Sequence, residues 1–221
     1  MQKISIDFDP GFLDVLVDEP TSCKYTILLA HGAGAGMEHS FMQMIAEDLV
    51  QLNCRVVRFN FPYMQMGKKL PGSARKDIAA IESLYHHVSR AFPDQLIILG
   101  GKSYGGRMNS HFMSQNPDTT VKGLVYFGFP LHAPGKPSIK KAAHLYDIKA
   151  PQLFLQGEKD RLADIELMRK VANDCKNAQI EVFIKADHSF KVPKSNPELS
   201  QEKSFLQLAK RTTYWLDNIV R

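Results

Sequence analysis

The sequence predicts an α/β fold, a mostly parallel sheet of about eight strands flanked by helices and lacking a large lid. Three observations lead there. Short apolar runs alternate with longer amphipathic stretches from one end of the 221 residues to the other. Two of those runs, Ile27-Leu28-Leu29-Ala30 and Leu96-Ile97-Ile98-Leu99, are apolar without interruption, as strands buried on both faces require. A glycine-rich turn with a central serine, 101–106, follows the second run and precedes a helical pattern.

Residues 3–8 and 12–18 read as two opening strands joined in a hairpin around Asp9-Pro10-Gly11. The strand 26–30 comes next. Phe41, Ile45, Leu49 and Leu52 recur at helical spacing and mark a helix over 40–52. A strand over 55–61 ends at Pro62, and Ile78, Ile81, Tyr85 and Val88 give a helix over about 74–92. Strand 96–99, a helix over 104–115 and a strand over 123–129 follow, then a Pro- and Lys-rich loop to about residue 149. The last strands are 153–155 and 180–184, with a helix containing Ile165, Met168 and Val171 between them. Asn196-Pro197 suits a cap with proline at the first helical position. Phe205, Leu208, Thr212, Trp215 and Ile219 supply the packing face of the terminal helix. No repeat or linker divides the chain, so one domain over 1–221 is expected.

Composition narrows the function. Hydrophobic residues make up 44% and charged residues 23%, which is ordinary for a globular protein. No run is long enough to span a bilayer, and Met1-Gln2-Lys3 leads straight into a strand with no signal-type apolar region, so the cytosol is the expected compartment. The cysteines, Cys23, Cys54 and Cys175, are odd in number and widely spaced. That is neither a disulfide framework nor a zinc pattern. The net charge of +5 is scattered, with one small cluster at Lys136, Lys140, Lys141 and Lys149. No recognition motif accompanies it, so a solvated face is expected and no nucleic-acid partner. No metal-ligand spacing and no cofactor motif occur.

The chemistry centres on Gly101-Lys102-Ser103-Tyr104-Gly105, a G-x-S-x-G pentapeptide between a buried strand and a helix. By composition alone it would arise in about one chain of this length in fifteen, so its placement carries the weight. There the serine hydroxyl is held out of the sheet, and the helix N-terminus behind it favours developing negative charge. Gly101-Lys102-Ser103 also resembles the end of a phosphate-binding loop, but the first glycine of that motif would fall at Leu96, inside the strand, so a nucleotide site fails.

A serine needs a base. Of eight histidines, His188 follows the last strand, where the chain order serine, acid, histidine places it. His86 and His87 lie on a helix, and His39, His111, His132 and His144 have no comparable placement. The acid belongs on the loop after the preceding strand, where Gly157-Glu158-Lys159-Asp160 makes Asp160 the choice over Glu158, Asp164 and Asp187. Two N–H groups should receive an oxyanion: that of Tyr104, next to the nucleophile, and one from His31-Gly32-Ala33-Gly34-Ala35-Gly36, with Ala33 preferred and Gly34 in reserve. His31 is expected to order this loop and take no part in proton transfer.

Taken together, His31-Gly32-Ala33-Gly34 with Met37, Phe59-Asn60-Phe61-Pro62-Tyr63, Gly100 to Arg107, Pro134-Gly135-Lys136-Pro137, Gly157 to Asp160 and Asp187-His188-Ser189-Phe190 resemble a compact α/β-hydrolase family related to dienelactone hydrolase. That family includes bacterial predicted hydrolases, a testis-expressed hydrolase-like protein and a subunit of the non-specific-lethal histone acetyltransferase complex. The resemblance implies the triad Ser103, Asp160 and His188 and no particular substrate. Dienelactone hydrolase uses a cysteine where this chain has Ser103, so lactone specificity does not carry over. Arg107, one helical turn beyond Ser103, is open to a role in fixing the elbow or to a surface role.

The expected activity is hydrolysis of a small ester, thioester or related acyl compound through an acyl-enzyme, with the loops 62–73 and 130–149 shaping the pocket. A non-catalytic scaffold binding a protein partner, and a small-molecule binder without turnover, are the alternatives. No sequence feature specifies an oligomeric state.

Overall fold

The computed structural model describes residues 1–9, 11–193 and 201–219. Eight strands form one sheet: β1 (Gln2–Asp7), β2 (Phe12–Asp18), β3 (Tyr25–Ala30), β4 (Cys54–Phe59), β5 (Leu96–Lys102), β6 (Gly123–Phe127), β7 (Gln152–Gly157) and β8 (Ala178–Phe183). Their order across the sheet is β1-β2-β4-β3-β5-β6-β7-β8. β1 and β2 pair antiparallel, β2 pairs antiparallel with β4, and every pairing from β4 to β8 is parallel. The carboxyl ends of β3 to β8 therefore open on one rim, the place where sheets of this kind build their sites.

Alternation along each strand assigns side chains to two faces. Tyr25, Ile27 and Leu29 of β3 pack with Phe41, Ile45 and Leu49 of α1 (Ser40–Gln51) and with Phe205, Leu208 and Trp215 of α6 (Gln201–Ile219). Leu28 and Ala30 face the other way, towards the side covered by α3 (Ala74–Ala91), α4 (Tyr104–Gln115) and α5 (Ile165–Asp174). Each helix holds its place by burying one apolar stripe, worth about 1.5–3 kcal/mol for every large side chain removed from water.

All eight strands fall where the apolar runs put them, with ends shifted by up to three residues. The largest shift is at β5, read as 96–99 and observed as Leu96–Lys102. Its ladder continues because Gly100, Gly101 and Lys102 still pair with β6. Two short elements break the expectation of plain loops. α2 (Pro62–Gln65) starts at Pro62, whose missing N–H costs nothing at a first helical position. A 3-10 helix, Lys140–Asp147, buries Ala142 and Leu145 within the β6–β7 connection. The proposed Asn196-Pro197 cap lies outside the described residues.

Candidate active site

Ser103 stands between β5 and α4 with φ 49° and ψ −111°. A side chain in left-handed φ costs about 1–3 kcal/mol and persists only where its surroundings dictate it. Here they do. The Ser103 N–H donates to the Phe127 carbonyl at 3.2 Å, and the Arg107 N–H donates to the Ser103 carbonyl at 3.1 Å. The flanking glycines are required by contact: a Cβ on Gly101 would sit 2.2 Å from the Gly106 nitrogen, and one on Gly105 would sit 2.3 Å from the Ala30 oxygen. Strand, turn and helix can meet this tightly only without side chains at those positions.

His188 rides on a turn beyond β8, held by Asp187, whose carboxylate accepts from the N–H groups of Ser189 and Lys191 at 2.8 and 2.9 Å. The turn includes two further residues with left-handed φ, Lys185 and Phe190. It brings His188 Nε2 to 2.9 Å from Ser103 Oγ and His188 Nδ1 to 2.6 Å from Asp160 Oδ2. A carboxylate can only accept, so Nδ1 carries the ring proton and Nε2 is left to accept from the serine hydroxyl. The three side chains singled out from the sequence thus form one continuous hydrogen-bonded line.

Asp160 follows β7, and its side chain is shielded from solvent while that of His188 is 25% exposed. Its second oxygen accepts from Leu162 N–H at 2.8 Å. Gln156 Nε2 donates to Oδ2 at 2.6 Å, and Gln156 Oε1 accepts from Phe129 N–H at 3.0 Å. Gln156 was not identified as part of the site. Its signal was available: an amide directly after the apolar run Leu153-Phe154-Leu155, still within a buried strand, is costly unless both its ends are paired. The rival acids have other work: Asp164 caps α5, Asp187 closes the histidine turn and Glu158 accepts from Lys185 N–H.

The loop after β3 is ordered by His31. Its Nε2 accepts from Phe61 N–H at 3.0 Å, so the proton sits on Nδ1, which donates to the Gly32 carbonyl at 2.8 Å. Burial pulls its pKa down to about 4, which keeps the ring neutral and unsuited to proton transfer near pH 7. Gly34 N–H points to Tyr63 Oη at 3.4 Å. Tyr104 starts α4, and its phenol donates to Asp77 Oδ2 at 2.6 Å. Burial, together with that carboxylate, raises the pKa of the phenol and keeps it a donor.

The remaining histidines do structural work or stand apart. His132 repeats the pattern of His31, donating to Ala133 O at 2.9 Å and accepting from Asp164 N–H at 2.8 Å. His111 and His144 stack with ring centres 3.8 Å apart. His39 caps α1 by accepting from Phe41 N–H and also borders the cleft, a placement its sequence position did not reveal. Arg107 lies near the stacked pair, and its Nε is buried without a hydrogen bond among the described residues.

A cleft of about 580 Å³ opens beside Ser103 and His188, walled by Ala33, Phe41, Lys102, Leu162, Lys191 and Phe205 among others. This corrects one expectation. No described residue of 62–73 or 130–149 lines it; the walls come instead from 32–42, the end of β5, Leu162, the histidine turn and α6. On this side the histidine turn packs Phe190 beside Phe41 of α1, with ring centres 6.3 Å apart. Among the described residues no cluster of three or more potential ligands could hold a metal, and no helix is long and apolar enough to cross a membrane.

Comparison with known proteins places the fold. A carboxymethylenebutenolidase homolog of Rattus norvegicus is 23% identical over 154 residues, which cover 67% of this chain. The match spans only 59% of that protein's own length. Among solved structures, an alpha-beta serine hydrolase homologue from Coxiella burnetii superposes with a TM-score of 0.76 at 19% identity, covering 96% of each chain. A dienelactone hydrolase from Anabaena variabilis gives 0.78 at 16% identity over 100% of this chain and 99% of its own. At such identities the likeness establishes the fold. The family described as alpha/beta hydrolase domain matches residues 23–217, which hold β3 to β8 and the serine, acid and histidine turns, and the chain belongs to that family.

Proposed function

We propose that the chain is a serine hydrolase that cleaves a small ester, thioester or related acyl compound through an acyl-enzyme. The observation that carries this reading is the Ser103–His188–Asp160 line, with contacts of 2.9 and 2.6 Å, at the edge of an open cleft. Ser103 Oγ attacks the acyl carbonyl and passes its proton to His188 Nε2. Asp160, fixed by Gln156 and Leu162, stabilises the imidazolium that forms. The oxyanion is received by the N–H groups of Tyr104 and Ala33. The pairing of Gly34 N–H with Tyr63 favours Ala33 over Gly34. His188 then protonates the leaving group, the acyl-serine is formed, and a water activated by the same imidazole releases the acid.

A small substrate matches a cleft of about 580 Å³, and the hydrolase names of the similar proteins point to the same class of reaction. One domain working in the cytosol on a small molecule, with kinship to the testis-expressed hydrolase-like protein and the non-specific-lethal complex subunit, completes the reading. The three unpaired cysteines agree with a reducing compartment. The test is an ester and thioester panel of varied acyl length with wild-type and Ser103→Ala proteins. Removal of the nucleophile should lower kcat by about 10⁴-fold or more. Equal turnover by the two proteins would refute the assignment.

A further inference from the structure

Lys102 is a lysine buried at the end of β5, only 9% exposed, immediately before the nucleophile. A buried ammonium is expensive unless something repays its lost hydration. Its Nζ donates to the backbone carbonyl of His188 at 2.6 Å. It also lies 5.5 Å from the ring centres of both Phe41 and Phe190, within range of cation–π attraction to their faces. Gly128, beyond β6, leaves the space for this contact. A Cβ there would stand 3.1 Å from Lys102 Nζ, 3.3 Å from the His188 oxygen and 3.5 Å from His188 Cε1. Strand β5, the turn after β6, helix α1 and the histidine turn thus converge on one charged hydrogen bond. A structure that needed only an apolar plug at this place would have no use for a lysine.

We infer that Lys102 is a positioning residue: its ammonium ties the main chain of His188 to the strand that carries Ser103, fixing the imidazole from behind while Asp160 fixes it through the ring. This inference rests on the hydrolase reading of the site. Proton transfer from Ser103 depends on sub-ångström placement of Nε2, and a histidine on a turn needs two anchors to be held that closely.

The clamp is also a titrating one. Burial lowers the lysine pKa to about 8, against the opposing pull of Asp160 from the β7 loop and Asp187 from the histidine turn. His39 and Lys191 border the same cleft. As pH rises through that value the donor loses its charge, and a neutral hydrogen bond is roughly half as strong as a charged one.

The test compares wild type with Lys102→Met and Lys102→Gln, using Val88→Ala, on α3 across the sheet, as a variant destabilised away from the cleft. Labelling of Ser103 by a fluorophosphonate is timed from about pH 7 to about pH 9.5, and amide hydrogen exchange is followed over 185–192. The inference expects labelling at pH 7 to slow by about tenfold or more in both Lys102 variants. Exchange over 185–192 should quicken. The alkaline decline near pH 8 in wild type should disappear in both variants, and Val88→Ala should show none of these changes. A folded Lys102 variant with wild-type labelling and wild-type exchange would overturn the inference. Should neither variant fold, Lys102→Arg, which keeps the charge but not the geometry of the 2.6 Å contact, decides: slower labelling with quicker exchange over 185–192 supports the clamp, and wild-type values of both overturn it. Failure of wild type to label at all would strike the hydrolase reading, and the exchange comparison would still judge the clamp.

Discussion

Acidification should weaken this fold through His31. The ring is fully buried, with Phe61 N–H aimed at Nε2 at 3.0 Å and Nδ1–H bound to the Gly32 carbonyl. A second proton would have to enter at Nε2, against a donor already pointing there. The pKa of about 4, against 6.5 for a free imidazole, means that the unfolded chain takes up the proton first as pH falls. Stability contributed by neutral His31 is complete above about pH 6.5, declines by up to about 1.4 kcal/mol per pH unit below it, and levels off near pH 4. Between pH 7 and pH 5 the loss from this residue comes to about 2 kcal/mol. The assay is urea unfolding of wild type and His31→Gln at both pH values. His144, whose pKa burial also lowers to about 4, is present in both proteins and cancels in the comparison. The glutamine variant should start less stable, yet lose about 2 kcal/mol less on acidification. Equal losses in the two proteins would refute a neutral, buried His31 as the pin of the loop after β3.

Asp160→Asn should cost about 10²- to 10⁴-fold in kcat, because three donors converge on the carboxylate and an amide offers one oxygen, with no charge to balance the imidazolium. Steady-state ester hydrolysis checks this, and a rate within a few-fold of wild type would contradict it. Gly105→Ala should destabilise the protein by several kcal/mol or prevent folding, since its Cβ would lie 2.3 Å from the Ala30 oxygen and 2.7 Å from that of His31, both rigid backbone atoms. Thermal unfolding measures the loss, and an unchanged Tm would show that β3 and α4 are not in contact as described.

Much of this was legible in the sequence because burial on both faces leaves a plain mark. Ile27 to Ala30 and Leu96 to Leu99 could hardly be anything but central strands, and the helices between them declare their packing stripes. Ser103, His188 and Asp160 were visible because each follows a strand on the same rim. The order of strands across the sheet was not legible: nothing in the sequence tells β3 to lie between β4 and β5. Nor was the set of residues that walls the cleft, since 32–42, the histidine turn and α6 meet there only in the assembled fold. Gln156 and Lys102 were polar groups within apolar strands whose partners come from distant turns, Phe129 and Asp160 for one, His188 for the other. Such residues can be flagged from sequence as costly, but only the assembled fold shows what offsets the cost.

The account stands on one nucleophile activated by one histidine. Intact-protein and peptide mass spectrometry after exposure to a fluorophosphonate tests it most directly, in wild type and in His188→Ala. The expected result is a single adduct located on Ser103 of the wild-type protein, formed at least about a hundredfold more slowly when the imidazole is gone. An unmodified Ser103 in folded wild-type protein, or labelling at the same rate in both, would contradict it.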